Sequence, residues 1–310
     1  MSRLIFAGTP VTAVPALRRL VADGHEIVAV LTRPDAPLGR KRVLTPSPVA
    51  QVAQELGLAL IKSSKIDDAT HTALVSAGAD LAVVVAYGGL IPRRTLDGVP
   101  HGWVNLHFSL LPELRGAAPV QHALIRCADI TGASVFVLEE GLDTGPVLGM
   151  MTEAVRDKDT TGTLLDRLAH AGSELLSQAV AGYVSGQVVP IPQTGEPTLA
   201  PKLGREDGRV DWTQPARAVR GRIAGTTPEP GAFTEISEAV LKLARVEEEP
   251  LVDHLSPGTV WVEPGKNGRV LVGTGSHAVA LTEVQPAGKK MMRAADWARG
   301  LQSEDKVLLG

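Results

Sequence analysis

Residues 81 to 87 read LAVVVAY, an apolar, β-branched run almost without a break. A run of this kind suits a strand covered on both faces, as strands of a parallel sheet are. Two more lie upstream, RLIFAG at 3–8 and EIVAVLT at 26–32. Between the second and third stands SPVAQVAQELG. Its Ser47 is placed to cap a helix and Pro48 fits the first turn. Val49, Val52, Ala53 and Leu56 recur at helical spacing before Gly57 ends it. Strand and helix in alternation predict an α/β fold, an open, doubly wound and mostly parallel sheet. WVNLH at 103–107 and GASVFVLEE at 132–140 read as further strands, and APVQHALIRC at 118–127 as a helix. A long helix from residue 161, TGTLLDRLAHAGSELLSQAVAGYVSG, closes the domain.

The texture then changes. VVPIPQTGEPTLAPKLG is rich in Pro, Gly and Thr and has little periodicity, the composition of a linker. Beyond it AFTEI, AVLKLARVE, GTVWVE, RVLVGT and AVALTEVQP are short strands parted by turn residues, with a short helix expected in DWTQPARAVRGRI. Their spacing predicts a small OB-like β-barrel. The expected organisation is an α/β domain over 1–188, a linker over 189–205 and the barrel over 206–310.

Composition narrows the function. At 310 residues and 44% hydrophobic, the chain has material for two domains with substantial cores. It shows no apolar stretch of membrane-spanning length and no secretory pattern at MSRLIFAGTP, so cytoplasm is the expected compartment. One cysteine, Cys127, excludes an internal disulfide framework and a cysteine-rich zinc site. A net charge of −3 argues against a uniformly basic coat but leaves local patches open. Aromatics are only 3%, which counts against binding single-stranded RNA by base stacking.

Within VNLHFSLLPELRGAAP, at 104–119, the strand carries Asn105 and His107 two apart and therefore on one side. They form either a satisfied core pair or the start of a site. Ligands of open α/β sheets bind beyond the carboxyl ends of the strands, and EEGLDTGPVL, following the strand GASVFVLEE, is expected to bring Asp143 to that edge. A dinucleotide site is not supported, because FAGTPVTAVP has one glycine where G-x-G-x-x-G has three. No phosphate-binding P-loop, no G-x-S-x-G elbow and no H-E-x-x-H metal motif is present. What remains is an amide, an imidazole and a carboxylate with no resident nucleophile and no metal. That set suits acyl transfer to a nucleophile that the substrate supplies. Asn105 can donate to an oxyanion, His107 can donate or exchange a proton, and Asp143 can orient His107 and help remove a proton.

Together these pieces resemble the folate-dependent formyltransferases. The shared pattern is Asn105, His107, Ser109 to Pro112, Arg115, Gly116 and Pro119, then Asp143 and Gly145. The resemblance is nearest to members that formylate methionyl-tRNA and runs almost end to end, from FAGTP to VQPAGKKMM. It implies direct transfer from 10-formyltetrahydrofolate to the α-amino group of initiator methionyl-tRNA through a tetrahedral intermediate, in support of translation initiation. Asn105, His107 and Asp143 would be the catalytic trio. The donor would lie near Ser109, Leu110, Leu111 and Pro112 and against the loop AYGGLIP with Tyr87 and Gly88. A monomer with no metal is expected. Phe108 and the sequence AYGGLIP depart from the commoner pattern.

Three basic clusters fit a focused phosphate track on a slightly acidic protein. The first is Arg33, Arg40, Lys41 and Arg42, in a loop the resemblance places against the tRNA acceptor stem. The second is Lys289, Lys290, Arg293 and Arg299, and the third Arg217, Arg220 and Arg222. Rival readings are a formyltransferase for another amine, a hydrolase releasing formate from the same donor, and a non-catalytic tRNA-binding protein.

Overall fold

The runs that decide the fold form the centre of one sheet. The structure is a computed structural model, and it describes residues 1–39, 41–265, 268–301 and 308–310. In chain order the first half holds β1 (Arg3–Gly8), α1 (Val14–Ala22), β2 (Glu26–Thr32), β3 (Ala36–Leu38), β4 (Val43–Thr45), α2 (Pro48–Glu55) and β5 (Leu60–Lys62). It continues with α3 (Asp68–Ser76), β6 (Leu81–Val85), α4 (Arg93–Leu96), β7 (Trp103–His107), α5 (Pro119–Ile125), β8 (Ile130–Val137), β9 (Val147–Ala154) and α6 (Thr161–Val184). Seven of the strands make a sheet ordered β5-β2-β1-β6-β7-β8-β9. From β5 through β7 every pairing is parallel. β6 is buried at every residue, which is why its sequence never alternates. Ile5, Ala7, Leu31, Ala82, Val84 and Trp103 face one core with Leu74 of α3 and Leu96 of α4.

Local signals held where they carried a mechanism. The Ser47 hydroxyl accepts from the Ala50 N–H at 3.0 Å, and Pro48 opens α2. Gly57 follows the helix with φ 67°, and Leu56 becomes the partly exposed C-cap rather than a core position. LAVVVAY is one strand only to Val85, because Ala86 turns to φ 49°.

The direction of β8 differs from the expectation. It runs antiparallel to β7, with Val104 opposite Val137 and His107 opposite Ser134. Its end therefore lies beside the start of β7, where the Leu138 N–H donates to the Trp103 carbonyl at 2.7 Å. The chain then turns and continues into β9, the Val137 N–H meeting the Pro146 carbonyl at 2.9 Å. Asp143 reaches the site by this return loop, not by leaving a parallel strand. An apolar run does not record direction, so the sequence could not show it.

The second half adds α7 (Ala216–Thr226), β10 (Ala232–Ile236), β11 (Ala239–Leu243), β12 (Val246–Glu249), β13 (Val260–Val262) and β14 (Val270–Val272). After these come β15 (Ala278–Leu281), β16 (Glu283–Pro286), β17 (Met292–Arg293) and α8 (Ala294–Ala298). They make two four-stranded antiparallel sheets, β10-β11-β16-β17 and β12-β15-β14-β13. The runs AVLKLARVE and AVALTEVQP each break in two and pass from one sheet to the other. That is how strands turn the corners of a small barrel. Val219, Ile223, Leu241, Val272 and Val279 share its core with Trp212. The Trp212 indole donates to the Thr234 hydroxyl at 2.9 Å.

Contacts divide the chain into two units, one of Met1–Gly116, Thr131–Glu153 and Leu165–Leu199, the other of Ala117–Ile130, Ala154–Leu164 and Ala200–Gly310. The second unit thus takes in α5, which the sequence pattern assigns to the α/β domain. The reason is α7: a Cβ on Gly221 or Gly225 would fall within 2.7 Å of the α5 carbonyls of Leu124 or Gln121. Only glycines let the two helices approach so closely. Among the described residues no helix is long and apolar enough to cross a membrane.

Candidate active site

The sequence pair Asn105 and His107 lies at the end of β7, on the same face as Trp103. His107 is buried and Asn105 half-buried. Among the described residues the Asn105 carboxamide has no hydrogen-bond partner, so its N–H groups are available to a ligand. The His107 ring stands edge-on to Phe136, with 6.4 Å between centroids.

His107 is fixed from both sides. Its Nε2 lies 2.9 Å from the Leu114 carbonyl, and since a carbonyl only accepts, Nε2 carries the proton. Its Nδ1 faces Asp143 Oδ2 at 3.8 Å. Burial pushes the imidazole below its usual pKa, opposed by the Asp143 charge and the Leu114 carbonyl. The neutral ring therefore offers a lone pair at Nδ1 and has no spare N–H. It is a proton acceptor before it is a donor.

Asp143 is held in turn. Its Oδ2 accepts from the Gly116 N–H at 2.8 Å, and its backbone takes φ 51°, left-handed but tolerable for Asp. Two residues on, Gly145 packs so tightly that a Cβ would lie 1.7 Å from the Val137 carbonyl oxygen. Strand β7 thus supplies Asn105 and His107 on one face, and the return loop sets Asp143 against His107.

The residues expected near the donor have mixed settings. Ser109 is buried, its hydroxyl donating to the Glu113 carbonyl at 2.6 Å while Ser134 Oγ binds the Ser109 carbonyl and the Leu111 N–H. These bonds shape the loop that carries Leu110, Leu111 and Pro112. Tyr87 is buried in the core, with its hydroxyl on the Ser63 carbonyl at 2.9 Å, and Gly88 is exposed. None of them lines the open cleft of about 370 Å³ formed by Arg93, Leu96, Trp103, Leu138, Glu139 and Glu140, with Asp97, Gly102 and Gly141. Strand alternation, which sets Trp103 on the face of Asn105, was the signal that could have found its wall.

Of the basic residues, Lys41 and Arg42 sit at the exposed turn of a hairpin, β3 paired to β4 from Ala36↔Thr45 to Leu38↔Val43. The sequence pattern there suggests only a loop; Arg40 lies outside the described residues. Lys289 and Lys290 are exposed in the turn between β16 and β17. The third cluster makes contacts within its own unit. Arg217 pairs with Asp129 at 3.2 Å, Arg220 with Glu248 at 2.8 Å, and Arg222 donates to the Asp207 carbonyl.

The end of strand β7 in a doubly wound sheet thus holds a carboxamide with no hydrogen-bond partner among the described residues and a buried imidazole faced by a carboxylate. The chain matches the formyl transferase family over residues 2–180 and the formyl transferase C-terminal domain over 202–302, and it belongs to that family. It is 57% identical to the methionyl-tRNA formyltransferase of Arthrobacter sp. (strain FB24) over 298 residues, 96% of each chain. It is also 57% identical to the methionyl-tRNA formyltransferase of Paenarthrobacter aurescens (strain TC1), covering 99% of both. Among solved structures it resembles HypX from Aquifex aeolicus in complex with tetrahydrofolic acid, at a TM-score of 0.68 and 19% identity. The match covers 96% of this chain and 46% of that one. Methionyl-tRNA formyltransferase from Clostridium thermocellum gives a TM-score of 0.57 at 15% identity, covering 80% of this chain and 94% of that one.

Proposed function

We propose that this formyltransferase moves a formyl group from 10-formyltetrahydrofolate to the α-amino group of initiator methionyl-tRNA. The observation that carries the chemistry is the Nδ1 lone pair of His107 facing Asp143 at 3.8 Å beside the unpartnered Asn105 amide. The identity of 57% across almost the whole chain to proteins named for this reaction supports the acceptor.

The neutral amine attacks the formyl carbon, forming a C–N bond while the carbonyl pair moves to oxygen. Asn105 donates an N–H to that oxyanion. His107 takes the amine proton at Nδ1, and the imidazolium so formed is stabilised by Asp143. The bond to N10 then breaks, and the proton passes to the departing tetrahydrofolate nitrogen. Free α-amino groups titrate near about 7.7–8.0, so little activation of the nucleophile is required. The cleft beside Trp103, with Glu139 and Glu140 at its rim, offers acceptors to the donor-rich pyrimidine edge of a pterin.

For the acceptor, the β3–β4 hairpin carries Lys41 and Arg42 at its tip, and Leu38, Val43 and Leu44 are each at least 59% exposed. A two-stranded ribbon with its apolar side chains bare gains by lying against a partner. Lys289 and Lys290 would add phosphate contacts from the C-terminal domain. The test supplies 10-formyltetrahydrofolate with charged initiator and elongator tRNAs and follows formyl transfer and free formate. Transfer to the initiator is expected; formate release without tRNA would instead establish a hydrolase.

A further inference from the structure

The stretch that reads as a linker makes the bonds of a clamp. Ile191 bridges to Val147 and Leu199 to Arg115, all inside the first unit. Between these ends, Gln193 meets the site. Its Nε2 donates to the Asp143 and Gly145 carbonyls, both at 2.8 Å, and its Oε1 accepts from Arg115 Nη2 at 2.7 Å and Nε at 3.2 Å. A primary amide has two donor hydrogens and two acceptor lone pairs, and here all are engaged. Arg115 is followed by Gly116, whose N–H holds the Asp143 carboxylate. The bonds close a ring: Gln193 to the Asp143 backbone, Asp143 Oδ2 to Gly116, Arg115 back to Gln193.

Thr198 does the matching task for His107. Its hydroxyl accepts from the Leu114 N–H at 2.9 Å, its carbonyl from the Arg115 N–H at 2.8 Å, and its N–H donates to the Pro112 carbonyl. Leu114 has φ 58°, a conformation a bulky residue adopts only when its surroundings impose it. In that conformation its carbonyl receives His107 Nε2.

We infer that residues 191–199 are a positioning strap for formyl transfer, in which Gln193 fixes Asp143 and Thr198, through the Leu114 carbonyl, fixes the His107 tautomer. The inference rests on the function proposed above. Neither residue touches the reacting atoms. Their loss lets the trio drift without removing a member of it.

The test compares Gln193→Leu, Thr198→Val and Thr198→Ser with wild type in single-turnover formyl transfer, together with 15N chemical shifts of the His107 ring. Gln193→Leu and Thr198→Val should each lower kcat by about ten- to a hundredfold, the usual effect of removing an outer partner, with KM for both substrates within about threefold. Thr198→Ser, which keeps the hydroxyl, should restore the rate. Thr198→Val should also lose the Nε2–H tautomer signature that wild type shows; a general loosening of the fold would not move it selectively. Should Gln193→Leu not fold, the Thr198 pair decides alone. Rates within about twofold of wild type and an unchanged tautomer signal in Thr198→Val would overturn the strap. Should wild type itself transfer nothing, the proposed function fails, and the ring shifts still decide whether the strap sets the tautomer.

Discussion

His107 is caught between two influences of opposite sign, and burial wins. The sequence left its charge open; the buried setting favours the neutral ring, and the Leu114 carbonyl favours the proton on Nε2. That charge state also bears on stability. A histidine held below its unfolded pKa of about 6.5 binds fewer protons folded than unfolded, so its stabilising contribution is present above that pH and is lost on acidification. The thermal midpoint of wild type should fall between about pH 7 and pH 5, more steeply than that of His107→Asn. His25 is also held low by burial and contributes the same sign in both proteins, so the difference isolates His107. Asp23, Asp67, Asp211 and Glu263 are held below the usual carboxylate range and act only in more acidic solution. Parallel slopes for the two proteins would mean that His107 titrates normally.

At the scale of elements, the return loop after β8 is the part that must be built to tolerance. Gly145 permits it, since any Cβ meets the Val137 carbonyl at 1.7 Å. Gly145→Ala is expected to lower kcat by about a hundredfold, the cost of displacing a reacting group by about 1 Å, with tRNA binding retained. A rate near wild type would mean that Asp143 need not be held. How much of this was legible in the sequence follows from what each feature depends on. The buried strands and the cap of α2 are local, written in LAVVVAY and in Ser47-Pro48, and the structure has both. β7 has the bounds WVNLH predicts, and with it the shared face of Asn105 and His107. The antiparallel course of β8 was not legible, because an apolar run reads alike in either direction. Nor was the strap, since Gln193 and Thr198 act through backbone carbonyls that no residue pattern records. The hairpin β3–β4 was hidden for a further reason: Pro and Gly around a basic tip read as loop.

Across the whole molecule, the three basic runs of the slightly acidic chain have different settings. Arg217, Arg220 and Arg222 form a run in the sequence but are bound within their own unit. Lys41, Arg42, Lys289 and Lys290 are exposed instead. Charge reversal at Lys41 and Arg42 should weaken tRNA binding and reduce the slope of log affinity against log salt by about one for each phosphate no longer neutralised. Folate binding should be unaffected, as titration of each ligand will show. An unchanged slope would place the tRNA elsewhere. The central claim is that the sheet edge stabilises an oxyanion through the one amide left unpartnered there among the described residues of the trio. Its most direct test is the single-turnover rate of formyl transfer by Asn105→Ala with saturating charged initiator tRNA. A loss of about 10²–10³, or roughly 2.7–4 kcal/mol, with tRNA affinity intact is the expected result; a rate within about threefold of wild type would contradict the account.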